Sequence, residues 1–382
     1  MGTVKIMFAS LGAYGHLYPM MPLALACAAA GHETVIGIGP PFLGRLPLPT
    51  VTGYPPELEL EWVVQETRRR HPDLHDREFS MAMFADVAAE NVAPTMIKQC
   101  EQTRPDLVVY EGMDTGAGVA ASVLGIPAAA YAIALASFVY SSLHPSTVSY
   151  QRDQWLQRDR TPPEETNLLA AALINPAPPS LRRIDGIAPP TLPIRSMAYS
   201  ETSATVPAWL SGPRARPRVY LTLGTVSFGA VDVLSRAISD IAPLGVDILV
   251  TVGPEGELAA LGDLPDNVHV ERFVAQSAVL PLVDLIVHHG GTGTVLAALE
   301  VGLPQLLLPQ GADQFFNAQI LTDAGAARAL PNDAQQPGAI AEAVQALLGD
   351  SHERAAAARL KDEIAAMPSP TEAVSQLVEL AG

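Results

Sequence analysis

Val4-Lys5-Ile6-Met7-Phe8-Ala9-Ser10, followed by Leu11-Gly12-Ala13-Tyr14-Gly15-His16, is the stretch that decides the fold. A short apolar run closed by a glycine turn reads as a strand buried on both faces. The apolar segment from Leu17 to Ala30 then reads as a helix, Gly31 ends it, and Thr34 to Ile38 begins another strand. Strand, turn, helix, strand is a βαβ unit. A further unit follows in Asp106 to Tyr110, Gly116 to Leu124 and Pro127 to Tyr131. From 145 to 217 the pattern is broken by Pro162-Pro163, Pro176 to Pro179, Pro189-Pro190, Pro193, Pro207, Pro213 and Pro217. Proline at this density breaks helices and blocks central strands. Loops, a short helix over 167–173 and a linker over 205–217 are therefore expected. A second βα series begins at Val219 to Leu223 with Gly224-Thr225, then a helix from Val231 to Ile241. Strands are expected at Ile248 to Val252, Val268 to Phe273, Leu285 to His288 and Gln305 to Leu308, with helices over 338–348, 352–366 and beyond Pro370. The expected class is α/β, two doubly wound Rossmann-like domains facing a cleft. The first spans 1–210, the second 217–366, and a helix in 367–382 packs back on the first. Ligands in such sheets lie beyond the carboxyl ends of the strands.

Composition narrows the function. The chain has 382 residues, 48% hydrophobic and 16% charged, enough for large cores and too apolar for global disorder. A net charge of −17 argues against binding nucleic acid or an anionic membrane surface. No apolar run has the length of a membrane span, and the start lacks a basic, signal-like segment. Only Cys27 and Cys100 are present, which fits a reducing cytoplasm.

Two glycine turns carry the chemistry. His288-His289-Gly290-Gly291-Thr292-Gly293-Thr294 ends a strand and opens a helix, whose free N–H groups and dipole suit a phosphate. The threonine hydroxyls and the His289 imidazole add donors, although a tight turn without a ligand would read the same way. Gly291-Thr292-Gly293 with Ala297 and Asp313 also reads as a nicotinamide-cofactor fingerprint. Its place deep in the second half, and the Pro309-Gln310-Gly311-Ala312 segment before Asp313, count against that. The other turn, Gly15-His16-Leu17-Tyr18-Pro19, puts a histidine at a strand's carboxyl end, as Glu111 follows the strand Leu107 to Tyr110. If these strands are neighbours, Glu111 can orient the imidazole through Nδ1–H while Nε2 takes a proton from a hydroxyl. Asp114 is the alternative partner, and a helix-capping role for His16 is the plain alternative.

With these motifs in order, the sequence resembles the family 1 glycosyltransferases of GT-B fold. It is most similar to the actinobacterial antibiotic deoxysugar transferases of calicheamicin (enediyne) type. The resemblance runs from Phe8 through Pro19, through Arg216-Pro217 to Leu223-Gly224-Thr225, and through His288 to Ala318 with Asp313-Gln314-Phe315-Phe316-Asn317. It implies an inverting, metal-independent, hexosyltransferase-type reaction. A deoxysugar would pass from a dTDP-sugar to a hydroxyl of a hydrophobic natural-product aglycone of polyketide or enediyne type. It implies His16 as the general base with Glu111 as its partner, and Thr225, His289, Gly290, Gly291 and Thr292 as the diphosphate site. Asp313 and Gln314 would meet sugar hydroxyls. Phe273, Val274 and Gln276 fall in the base-binding segment, where Phe273 and Ala275 replace the usual Trp and Pro. Ala297 stands where many relatives carry a ribose-binding Glu, which favours dTDP over UDP, whose ribose has the extra hydroxyl. No Asp-x-Asp is present to hold a metal on the diphosphate. No cofactor is implied.

The acceptor side draws on Met- and aromatic-rich segments, 79–96 and 138–155. Tyr14, Phe84, Phe138 and Tyr140 are the expected acceptor contacts, although single residues of this kind more often fill a core. A UDP-sugar transferase and an NAD(P)-dependent oxidoreductase are the alternatives. A homodimer is compatible with the sequence.

Overall fold

The computed structural model describes residues 2–40, 42–55, 58, 60–135, 145–162, 170–183, 189–199, 206–224, 230–253, 261–311 and 313–382. The chain forms two compact units. The first comprises Met1–Pro176, Arg183–Arg195 and Pro368–Gly382, and the second Ala177–Arg182 and Ser196–Met367.

The first unit is built on a parallel sheet of β1 (Lys5–Ala9), β2 (Glu33–Ile38), β3 (Thr50–Thr52), β4 (Leu107–Glu111), β5 (Ala128–Tyr131), β6 (Ala172–Asn175) and β7 (Thr191–Pro193). Their spatial order is β3-β2-β1-β4-β5-β6-β7. The helices are α1 (Tyr14–Leu17), α2 (Met21–Ala29), α3 (Leu60–Arg70), α4 (Asp76–Ala82), α5 (Ala89–Thr103), α6 (Thr115–Leu124), α7 (Pro145–Leu156) and the C-terminal Pro370–Glu379. β1 and β4 pair with Ala9 opposite Tyr110, so their carboxyl ends are adjacent. Met7, Val108, Ala120, Ala130 and Leu173 share one buried core. That burial on both sheet faces is why the strands read as unbroken apolar runs. The C-terminal helix packs on α2 and buries Ala373, Val374, Leu377 and Val378. Its start is a capping box in which Ser369 and Glu372 satisfy each other's backbone N–H.

The second unit has a parallel sheet of β8 (Arg218–Thr222), β9 (Asp247–Thr251), β10 (Val268–Glu271), β11 (Leu285–His288), β12 (Gln305–Leu307) and β13 (Ala327–Ala329), in the order β10-β9-β8-β11-β12-β13. Its helices are α8 (Ala230–Ile241), α9 (Gln276–Val279), α10 (Thr292–Val301), α11 (Gln314–Asp323), α12 (Ala339–Leu348) and α13 (His352–Ala365); Pro370–Glu379 becomes α14. Both sheets turn about their first strand in the manner of doubly wound folds. No helix among the described residues is long and apolar enough to cross a membrane.

Two expectations from sequence change. The units divide after Arg195, not at 210, because the Arg195 N–H is held by the Pro368 carbonyl at 2.7 Å. The chain from 206 onward is already tied to the second unit, where the Arg218 guanidinium binds the carbonyls of Trp209, Leu210 and Gly212. The helix expected over 167–173 falls partly outside the described residues. At its C-terminal end Ala172 and Leu173 begin β6, a fully buried strand paired with both β5 and β7. Pairing on both edges outweighs the helix preference of alanine and leucine there.

Candidate functional site

In the first unit the loop after β1 leads into α1, which carries His16, and β4 ends on Glu111. Because β1 and β4 are neighbours, the two side chains meet: His16 Nδ1 lies 2.9 Å from Glu111 Oε1. The second carboxylate oxygen accepts the Met113 N–H at 2.8 Å. Glu111 is fully buried, while about a fifth of the His16 side chain remains exposed (22%). The carboxylate is thus fixed from both oxygens, and the ring it orients reaches the surface.

Asp114, the alternative partner, has a different task. Its Oδ1 accepts the Ala117 N–H at 3.2 Å and caps α6. Burial, reinforced by the Glu111 carboxylate, pushes its pKa up to about 8 against the opposing pull of the Ala117 N–H and of His16. The Phe84 ring lies 5.8 Å from the His16 ring, tilted by 45°. Tyr14 is 37% exposed and stands edge-on to Tyr18 and Phe42 at 5.1 and 5.0 Å. Phe138 and Tyr140 lie outside the described residues. Of the other residues in those aromatic-rich segments, Met83 and Met96 are buried, and Tyr150 and Trp155 pack against the core.

In the second unit β11 runs into the turn His288 to Gly291, and α10 begins at Thr292. Gly290 has φ +95°, a left-handed conformation that suits glycine. Its N–H donates to His288 Nδ1 at 3.1 Å, so His288 carries its hydrogen on Nε2 and donates to Gln305 Oε1 at 2.8 Å. His288 is therefore a neutral structural residue, and burial lowers its pKa to about 3. The amide expected to meet a diphosphate at Gly290 instead turns inward. The helix-opening amides of Thr292, Gly293 and Thr294 remain, without carbonyl acceptors inside the helix.

His289 is wedged between two glycines. A Cβ on Gly224 would lie 2.7 Å from its Cε1, and one on Gly291 would lie 2.4 Å from its Nε2. Its Nδ1 is buried with no hydrogen-bond partner among the described residues. Burial lowers its pKa to about 4, so the ring is neutral at pH 7. A neutral ring with unmet hydrogen-bonding capacity at a helix N-terminus suits an anion that can supply the missing contact.

Thr292 Oγ1 donates to Asp313 Oδ2 at 2.8 Å. Asn317 Nδ2 reaches the Gly290 carbonyl, Thr292 Oγ1 and Asp313 Oδ2, all within 2.9 Å. Asn317 thus locks the turn to α11, a role that sequence reasoning passed over. The available signal was its spacing, four residues after Asp313 on a helix. Asp313 belongs to this lock, not to a strand end where a nicotinamide ribose would be held. Gln314 Oε1 accepts the Gln310 and Gly311 N–H groups, and its amide nitrogen has no partner among the described residues. Gln276 Nε2 donates to Thr294 Oγ1 at 3.3 Å. Phe273 is 47% exposed, whereas Val274 and Ala297 are buried in one cluster with Tyr220 and Leu280. Position 297 therefore lies in an apolar core. Thr225 lies outside the described residues.

Comparison with known proteins bears on the family and the fold. The chain matches the erythromycin biosynthesis protein CIII-like family, its N-terminal domain over residues 49–224 and its C-terminal domain over 235–380. It is 35% identical to the L-demethylnoviosyl transferase of Streptomyces niveus, covering 96% of each chain. The glycosyltransferase SnogD from Streptomyces nogalater superposes with a TM-score of 0.77 at 26% identity, over 100% of both chains. The spinosyn rhamnosyltransferase SpnG complexed with thymidine diphosphate gives 0.79 at 27% identity, over 98% of this chain and 100% of that one. The two parallel sheets are those of GT-B glycosyltransferases.

Proposed function

The chain belongs to the antibiotic deoxysugar glycosyltransferases of the erythromycin CIII-like family, and on that premise we propose that it moves a deoxysugar from dTDP to an acceptor hydroxyl with inversion. The observation that carries the reading is the His16–Glu111 pair, 2.9 Å apart with the carboxylate fully buried. Glu111 accepts the Nδ1–H, which leaves Nε2 as the basic nitrogen. Nε2 takes the proton from the acceptor hydroxyl as its oxygen attacks the anomeric carbon. The bond to the diphosphate breaks on the opposite side of that carbon. Glu111 stabilises the imidazolium that forms, as carboxylates do in related triads.

The departing diphosphate gathers negative charge, and preorganised donors aimed at that charge lower the barrier. The α10 amides, that of Thr292 included, and His289 supply them in the second unit. Asp313 and the Gln314 amide nitrogen would meet sugar hydroxyls. Phe273 would lie against the base, with Val274 and Gln276 beside it. This scheme needs no metal ion. A natural-product aglycone in the bacterial cytoplasm is the acceptor that this reading implies. Solved relatives carry the corresponding ligands, thymidine diphosphate in one structure of SpnG and spinosyn aglycone in another.

The test is a product assay with a dTDP-deoxysugar and a phenolic acceptor in excess EDTA, with the anomeric configuration of the product read by NMR. Transfer with inversion is expected. Retention of configuration, or activity that vanishes in EDTA and returns with Mg²⁺, would overturn the scheme.

A further inference from the structure

The helical run from Asp76 to Thr103 changes character midway. Between α4 and α5 it widens into a π-turn over Met83–Ala88, where the Ala89 N–H donates to the carbonyl of Phe84, five residues back. Such turns give up regular helical hydrogen bonding and are frequent at functional sites. Three sets of contacts hold this one. Thr115 Oγ1, at the start of α6, donates to the Phe84 carbonyl at 3.2 Å. Thr147 Oγ1, in the first turn of α7, donates to the Ala85 carbonyl. Asp86 accepts from Arg70 Nη1 at 3.3 Å and lies 2.6 Å from His71 Nε2. Both threonines are buried. From Ala82 to Ala89 every residue is buried except Phe84, whose ring faces the neighbourhood of His16 at 5.8 Å. Each residue advances a helix by about 100°. Loss of the extra residue in this turn would therefore swing Phe84 away from His16.

We infer that the π-turn is a positioning device that sets the Phe84 ring as a stacking platform for a planar aromatic acceptor beside His16, with Thr115 and Thr147 as the residues that hold it. The inference rests on the transferase reading and names the acceptor class. An aromatic acceptor offset-stacked on Phe84 presents its ring edge, and any hydroxyl on it, toward the imidazole. Thr115 opens α6, four residues beyond Glu111 at the end of β4, and its hydroxyl holds the platform from there.

The experiment compares wild type with Phe84→Leu, Thr115→Val, Thr147→Val and Thr115→Ser. The acceptors are 4-methylumbelliferone, a planar phenol, and decahydro-2-naphthol, a saturated alcohol of similar size. Binding of the phenol is followed by its own fluorescence without donor, and KM and kcat with a dTDP-sugar. For both valine variants, phenol binding should weaken and its KM rise by about tenfold, with kcat and dTDP affinity within about twofold of wild type. Phe84→Leu should weaken the phenol similarly and the saturated alcohol less, and Thr115→Ser should behave as wild type. Folded variants that bind the phenol as wild type does, or that lose both acceptors equally, overturn the inference. If the valine variants fail to fold, Phe84→Leu decides by the same two criteria. Variant-dependent phenol binding without any sugar transfer supports the platform and overturns the transferase reading instead.

Discussion

Glu111, at the end of β4, and Asp114, three residues on, are both buried, and two adjacent charges there would repel in a medium that solvates neither. Glu111 has the imidazole at one oxygen and an amide at the other, whereas Asp114 holds its proton up to about pH 8. An unfolded aspartate ionises at about 3.9, so between these values the folded state binds the extra proton. Stability is lost as pH rises through that window. Asp114→Asn keeps the cap, because asparagine caps a helix as well as aspartate. It should match wild type near pH 4 and exceed it by about 4 kcal/mol at pH 7, measured by denaturant unfolding of the first unit. A difference that stays constant with pH would show Asp114 ionised in the native protein. At His16 the expectation is kinetic. His16→Ala should lower transfer by about 10²–10⁴-fold and leave dTDP affinity intact, and Glu111→Ala should lower it by less. Turnover near wild type in His16→Ala, with an acceptor that is not already acidic, would remove it from the mechanism. The positions of His16 and Glu111 are legible in sequence because parallel strands deliver polar residues at their carboxyl ends. The task of Asp114 is not, since capping and desolvation exist only once α6 is packed.

The turn His288 to Gly291 shows what a short element can hide. Two adjacent histidines look interchangeable in sequence, yet His288 is closed off by Gln305 and the Gly290 amide, while His289 sits between Gly224 and Gly291. Gly291→Ala would push a methyl into the His289 ring. Calorimetric titration should then show dTDP bound at least about tenfold more weakly, the scale of one lost hydrogen bond to a charged group. Unchanged affinity would mean that the ring takes no part in binding. Nucleotide choice belongs to this scale too. Phe273 presents apolar surface suited to the thymine methyl, so dTDP should bind at least as tightly as UDP. A clear preference for UDP in the same titration would refute this. Ala297, expected from sequence to stand where relatives grip a ribose, packs with Val274 and Tyr220, and a glutamate there would enter that cluster. The long apolar strands and their glycine turns were legible because their periodicity is local. The three-residue strands β3, β7 and β13 were not, since none carries adjacent large apolar residues as β12 does, and the helix expected over 167–173 runs into the first two residues of β6. The π-turn left no trace either, because residue types do not mark the change from one helical pitch to another.

At the scale of the molecule, the first unit is assembled from both ends of the chain, with most of the second inserted between them. Deleting 368–382 removes Val374, Leu377 and Val378 from their packing around α2. This should destabilise the first unit by on the order of 5 kcal/mol. Domain-resolved hydrogen exchange should show α2 losing protection while α10 keeps its own. Equal loss in both would mean that the helix stabilises the whole molecule and not one unit. The same arrangement bears on synthesis. A ribosome adding about 5–20 residues per second takes roughly 20–70 s to travel from the end of α2 to the start of α14. Throughout that interval the second unit can emerge and fold, while the nascent first unit still lacks its final helix and exposes the apolar face awaiting it. Chains released early by a stop codon before 370 would carry that face permanently, making them natural clients for chaperones and proteases.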